Sequence, residues 1–323
     1  MSELFLESYN EVIQPLMGDL PKFIACTTST PLEFSSCLNS VDPMVGLFVI
    51  CVFWAVYSLV WSIVGNNCSK VDQIWSITPP LYCWYLFYRA NFDHDRLYLM
   101  TVLMSLWGIR LTYNFWRRGG YGNLIEHEED YRWPILRKII GNKWLFLLFN
   151  ISFIASYQNL LLMLIALPAY GVMKGASAIG STDIIITVLF LVFLLIETIA
   201  DEQHWYFHKK KYSCASVDER EHHPDRDVRD GFLQSGLFAY SRHPNYFAEQ
   251  SMWVCIYAFS ISKGLLNFYF TGVFLLITLF MGSMAFGESI TLSKYPKYKE
   301  YQQRTSQCFP FFCGERDTKE KYN

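Results

Sequence analysis

The chain has 323 residues, of which 52% are hydrophobic and 18% aromatic but only 17% charged. Ordinary soluble domains carry about 25% charge, so a soluble pair of domains of this length is excluded. A formal net charge of −2 leaves no basis for nucleic-acid binding.

At the N-terminus, Phe5, Tyr9, Val12, Ile13, Leu16, Met17, Leu20, Phe23 and Ile24 recur at helical spacing. This pattern predicts a helix lying on the membrane surface. Residues 1–43 lack a basic start followed by an apolar run, so no cleavable signal peptide is expected. Apolar blocks near the spanning length of about 20 residues follow at 44–64, 74–91, 97–116, 144–170 and 183–201. A last stretch splits at Ser260-Ile261-Ser262-Lys263-Gly264 into 250–262 and 266–287. Pro79-Pro80 is expected to kink the second block. If all seven pieces cross, one side collects 21 Lys and Arg and the other 5, a strong positive-inside asymmetry. The prediction is an all-α, polytopic transmembrane helical bundle of 6–7 membrane helices, N-terminus lumenal and C-terminus cytosolic. It divides into an interfacial segment 1–43, a transmembrane domain 44–312 and a polar tail 313–323. The nine cysteines form no C-x-x-C pair and read as unpaired apolar fillers. Cys26 and Cys37 could pair if they are lumenal.

The polar residues inside or beside these blocks fall at one depth on this topology. Asp72 precedes the second helix and Arg110 lies within the third, with Tyr113 one turn further on. Glu197 and Asp201 are i,i+4 on the fifth, Asn245 and Glu249 are i,i+4 on the sixth, and Glu288 caps the seventh. A charge inside a span costs about 2.5 kcal/mol or more, so such residues line cavities, pair with one another or snorkel to water. A polar cavity open to the cytosol is the expectation, with an Arg110–Glu197 ion pair as the structural alternative. Lys209-Lys210-Lys211, with Arg226 and Arg229, offers either an anionic-lipid face or a grip on nucleotide phosphate. No Gly-rich phosphate loop is present, so a nucleotide would be held by side chains between helices.

An ordered series of stretches carries a family resemblance: Val71–Ser76, Leu106–Leu111 with Arg117-Arg118-Gly119, Glu128–Trp133, Glu197–Gln203, Tyr240–Glu249 and Tyr295–Tyr301. In these the chain resembles the steroid 5α-reductase C-terminal superfamily, in its DUF1295-type membrane branch, over residues 45 to 312. The resemblance implies an endoplasmic-reticulum membrane oxidoreductase. Its NADPH site would face the cytosol, and a steroid-like or polyprenoid lipid substrate would enter from the bilayer. It implies cofactor binding by Tyr240, Asn245 and Glu249, by Asp201 on the preceding helix, and by Glu197, which stands where the steroid reductases carry asparagine. Lys209, Arg242, His243 and Tyr246 complete the expected cofactor set. Arg110 matches the third-helix arginine. Reduction of an activated C=C bond needs hydride at the β-carbon and a donor at the developing enolate oxygen. Here Trp107 stands in place of the family's tyrosine. Asp72 is the nearest acid to the family's second-helix glutamate, and Tyr113 is a substitute donor. The expected catalytic set is therefore Asp72, Tyr113 and Arg110.

Arg242, His243, Tyr246 and Glu249 also fit the core of S-adenosylmethionine-dependent isoprenylcysteine or phospholipid methyltransferases. A non-catalytic membrane scaffold is a further alternative, kept by Trp107. His204 and His208 at i,i+4, with His222-His223 nearby, raise a di-iron hydroxylase. Such enzymes resemble one another in needing about eight histidines; the chain has seven, and no metal is expected.

Overall fold

The structure, a computed structural model, describes residues 3–28, 30–121 and 129–310. Every regular element among them is helical. In chain order these are α1 (Glu3–Cys26), α2 (Pro31–Ser40), α3 (Pro43–Val64), α4 (Lys70–Trp75), α5 (Thr78–Arg89), α6 (Asp95–Arg117), α7 (Arg132–Ile140) and α8 (Lys143–Phe149). A π-helical stretch, Asn150–Tyr157, leads into α9 (Gln158–Ala166) and α10 (Pro168–Met173). Then come α11 (Ser181–Ser213), α12 (Val217–Glu221), α13 (Arg226–Asp230), α14 (Pro244–Ala258), α15 (Phe270–Lys294) and α16 (Tyr298–Arg304). The predicted tail 313–323 and Glu128 lie outside the described residues.

Among the described residues, four helices are long and apolar enough to cross a membrane: α3, the continuous run Lys143–Met173, α11 and α15. The blocks predicted at 74–91, 97–116 and 250–262 fall on α5, α6 and α14. Of these, α5 and α14 are only 12 and 15 residues long. The expected kink at Pro79-Pro80 does not form. The chain instead ends α4 at Trp75 and starts α5 afresh, with the prolines in its first turn. There their missing N–H groups cost nothing, because first-turn amides have no intrahelical acceptor.

The chain divides into two compact units, residues 1–188 with 253–276, and residues 189–252 with 277–323. In the first unit, α5 packs on α6 and α9, and Tyr82, Leu86, Met100, Met104, Leu161 and Ile165 on these three helices are all buried. Polar side chains bridge α3 to the following long helix: Asn150 donates to Ser62 Oγ at 2.7 Å and Asn159 to Ser58 Oγ at 3.4 Å. In an apolar surround, such bonds fix the rotation of one helix against another. The half-buried Arg96 guanidinium holds Asp183 at 3.0 Å and the Phe259 carbonyl at 2.7 Å.

The predicted N-terminal helix forms as α1, and it is tied to protein. Tyr269 donates to Glu11 at 2.8 Å, Tyr170 to the Glu11 carbonyl at 3.1 Å, and the Phe268 amide to Ser8 Oγ at 2.7 Å. Cys26 and Cys37 form a disulfide, with Cα atoms 5.9 Å apart. This corrects the reading of all nine cysteines as unpaired fillers. Cys26 sits in a small apolar cluster with Val41 and Val45, so it is a packing residue and a cross-link at once.

The second unit is organised by aromatic residues after the long helices. Phe232 packs on Tyr298 and Tyr301, with ring centroids 5.1 and 5.6 Å away. Gly231 precedes it at φ +85°, and a Cβ there would lie 2.3 Å from the Tyr295 ring. Both the left-handed backbone and the ring contact therefore require glycine.

Candidate functional site

In the second unit, α11 and α14 are in contact where Phe193 and Phe247 meet edge to face at 5.8 Å. Glu197 stands one helical turn after Phe193, and Glu249 two residues after Phe247. Glu197, Asp201 and Glu249 are all buried, each 5% exposed. Carboxylates are costly to bury, and three in one unit demand hydrogen-bond donors or cations around them. Asn245 is half-buried, and its side chain makes no hydrogen bond among the described residues. Tyr240 is exposed. Lys209 is exposed, whereas its neighbours are engaged: Lys210 with Asp225 at 3.0 Å, and Lys211 with the Gly231 carbonyl at 2.6 Å.

Arg242 and His243 are occupied by protein. Arg242 grips Glu288 with two nitrogens, Nε at 2.8 Å and Nη2 at 3.1 Å. His243 Nε2 meets the same carboxylate at 3.0 Å, and Gln302 donates to it at 2.8 Å. The Arg242 Nη1 also donates to the carbonyls of Gln302 and Thr305 at the end of α16, and its backbone amide to Ser306 O at 2.9 Å. Ser241 Oγ donates to Cys308 O at 2.6 Å. The Ser241-Arg242-His243 run thus clamps the α16 C-terminus, whose last carbonyls lack helical partners. His243 lies along Tyr246 at 5.3 Å, and Tyr246 meets Phe280 edge-on at 4.7 Å. The Gly236 turn is fixed from α11: the Leu237 amide donates to Gln203 Oε1 at 2.9 Å. Gly236 has φ +62°, and a Cβ there would lie 2.6 Å from the Gln203 side-chain amide.

The first unit holds Asp72, Arg110 and Tyr113. Tyr113 is exposed on a stripe with Ile109 and Trp116, beneath the Arg117 guanidinium. Trp107 is buried and meets Trp253 edge to face at 4.9 Å. It is a packing residue where the family expectation had a hydroxyl. Arg110 is half-buried on α6. Asp72 lies at the start of a dense polar cluster. Trp133 donates its indole N–H to Asp72 at 3.2 Å, the Asp130 amide donates to Ser69 Oγ at 2.9 Å, and Arg137 grips Glu129 at 2.9 and 3.2 Å. Burial pushes the Asp72 carboxyl above the usual range; Arg132 pulls it down and Asp130 raises it again. A raised folded-state value means that its protonated form is favoured by folding. Its contribution is complete below the ordinary value of 3.8 and is lost as pH rises through the raised one. Asp72→Asn keeps the shape without the charge. It is expected to flatten that alkaline-side loss, read as Tm against pH for the two proteins.

Sequence reasoning passed over several of these residues. Glu288 stood among the polar residues at one depth without a named partner, Gln302 and Gln203 were not singled out for a role, and Trp133 appeared only within a quoted stretch. A glutamine has no sequence signal that separates a buried hydrogen-bonding role from a solvated one. Glu288 was marked by its place at the end of a long apolar run, which does not name Arg242 and His243 as its partners.

The sequence profile of the family described as "Protein of unknown function (DUF1295)" matches residues 58–305. A Schizosaccharomyces pombe protein named "Uncharacterized protein C594.04c" is 36% identical over 273 residues, covering 81% of this chain and 77% of that protein. No solved structure matches the chain. The family match spans the Asp72 cluster, α11, and the Arg242–Glu288 clamp together with α16. The chain therefore belongs to the DUF1295 family, the branch of the steroid 5α-reductase-like superfamily that its own motifs resemble.

Proposed function

We propose that the protein is a multi-pass membrane oxidoreductase that reduces a C=C bond of a lipid with hydride from NADPH. The observation that carries this reading is the burial of Glu197 and Asp201 on α11 and of Glu249 on α14, all three within the second unit. Buried carboxylates suit a hydroxyl-rich ligand, because they accept hydrogen bonds from ribose hydroxyls and a carboxamide N–H. Asn245, one helical turn before Glu249, and Tyr240 supply further donors and acceptors, and Lys209 supplies a cation for phosphate. This donor set fits a nicotinamide nucleotide. Arg242 and His243 hold Glu288 and so serve the site by fixing the turn before Asn245. NADPH, when bound, supplies the hydride. The enolate oxygen also needs a proton, for which the family resemblance offers Asp72 and Tyr113.

Protein purified in detergent is expected to quench or shift NADPH fluorescence on binding. Asn245→Ala with Glu249→Gln should weaken binding about tenfold or more, as expected for losing a hydrogen bond to a charged group, roughly 1.5–3 kcal/mol. Binding of S-adenosylmethionine with methyl transfer to lipid, and none of nicotinamide nucleotide, overturns the reading in favour of a methyltransferase.

The same reading takes all seven apolar helical pieces as crossing, with the C-terminus cytosolic and the N-terminus in the endoplasmic-reticulum lumen. The 21-to-5 division of Lys and Arg and the Cys26–Cys37 disulfide support it, since disulfides persist on the oxidising side of a membrane. In intact microsomes, a membrane-impermeant maleimide added after reduction should leave Cys26 and Cys37 unlabelled until the membrane is opened. Labelling before opening reverses the topology.

A further inference from the structure

After Asp201, α11 continues as a run rich in aromatic and basic side chains, with His204 and His208 one turn apart on it. The i,i+4 spacing puts both imidazoles on one face. Their Nε2 atoms converge to 3.3 Å, with ring centroids 4.4 Å apart. Both rings are held by aromatic neighbours in the same unit. His204 lies along Phe238 at 6.1 Å, His208 lies along Tyr212 at 5.4 Å, and Phe207 meets His208 at 5.1 Å. Phe207 and Phe238 are themselves buried, so the imidazole pair is set in position before any ligand arrives.

With nothing bound, one imidazole can donate to the other across this 3.3 Å contact. Two nitrogens each about 2.0–2.1 Å from one tetrahedral metal lie roughly 3.3–3.4 Å apart. The geometry points to a divalent transition-metal site whose two protein ligands are His204 Nε2 and His208 Nε2. Imidazole pairs select zinc, copper or nickel over magnesium or calcium, which prefer oxygen. Among the described residues no third His, Cys, Asp or Glu joins the pair. Water or a donor atom of a small molecule would complete the coordination. The site stands independently of the nicotinamide reading, since neither histidine belongs to the residues given to that cofactor.

The test uses the full chain in detergent, stripped with chelator and titrated with Zn²⁺ alone by calorimetry. One Zn²⁺ per chain is expected. Its affinity should fall at least tenfold in both His204→Asn and His208→Asn, and should be unchanged in the doubly substituted His222→Asn/His223→Asn protein. Sub-stoichiometric binding, equal affinity in His204→Asn, or loss only in the His222/His223 variant overturns the proposal. Should the variants fail to fold, the wild-type protein decides. Zn²⁺ is expected to protect His204 and His208 from diethyl pyrocarbonate, read by peptide mass spectrometry, and equal modification of both with and without Zn²⁺ overturns it.

Discussion

Arg242→Ala is expected to destabilise the second unit by about 3–5 kcal/mol, the cost of removing one partner from a buried ion pair. The side chains of Arg242 and Glu288 are only 9% and 6% exposed. Removing the guanidinium leaves Glu288 with His243 and Gln302 alone. It also strips side-chain donors from the carbonyls of Gln302 and Thr305. Arg242→Lys should recover only part of the loss, because an ammonium cannot hold the carboxylate with two parallel bonds and reach the α16 carbonyls at once. Glu288→Gln, which keeps shape and one acceptor, should cost less, about 1–3 kcal/mol. The double variant should fall short of the sum, since both changes break one network. Thermal unfolding in detergent, followed by tryptophan fluorescence, ranks the four proteins. An unchanged Tm for Arg242→Ala together with weakened NADPH binding would reverse the assignment, making Arg242 a ligand for the nucleotide phosphate.

That contrast shows what the sequence made legible and what it left hidden. The segment Gly236–Glu249 stood out because Arg, His, Asn and Glu are costly between apolar stretches. The cost does not say who repays it. Glu288 answers for Arg242 and His243 from 45 or more residues away, and a pairing at that separation leaves no mark in local spacing. The helices were legible because long apolar blocks have few other solutions in a bilayer. Their breaks were less so. Pro79-Pro80 serves a kink or a helix start equally well, and only the packing of α4 and α5 in the first unit selects the start. Cys26 and Cys37 lie 11 residues apart, a spacing that neither demands nor forbids a bridge. Asp72 was found by its position, but its raised pKa comes first from burial and then from the neighbouring Asp130, against the opposing pull of Arg132 and the Trp133 N–H.

Gly272→Ala is expected to be among the most damaging single methyl additions in the chain, and Gly272→Leu to abolish the folded first unit. Within that unit, the start of α15 crosses α9 at this glycine. A Cβ there would lie 2.3 Å from the Leu164 carbonyl oxygen, 2.4 Å from its carbon and 2.6 Å from the Ile165 amide nitrogen. All three are backbone atoms, so no rotamer change relieves the clash, and the helices must separate. Small residues permit such close approach between apolar helices, where dispersion replaces the hydrophobic effect as the packing force. Separation also loosens Val273 and Leu276, both fully buried. Overpacking typically costs about 1–3 kcal/mol and more where neighbours cannot shift, and here it outweighs the roughly 1 kcal/mol by which alanine favours a helix over glycine. Gly282, on the same helix, gives the control, because a Cβ there meets nothing within 4 Å. Gly282→Ala should raise the Tm slightly or leave it unchanged, by removing backbone freedom from the unfolded chain. A Gly272→Ala protein as stable as Gly282→Ala, measured in the same detergent, would mean that α9 and α15 do not meet backbone to backbone, and the core of the first unit would need another arrangement.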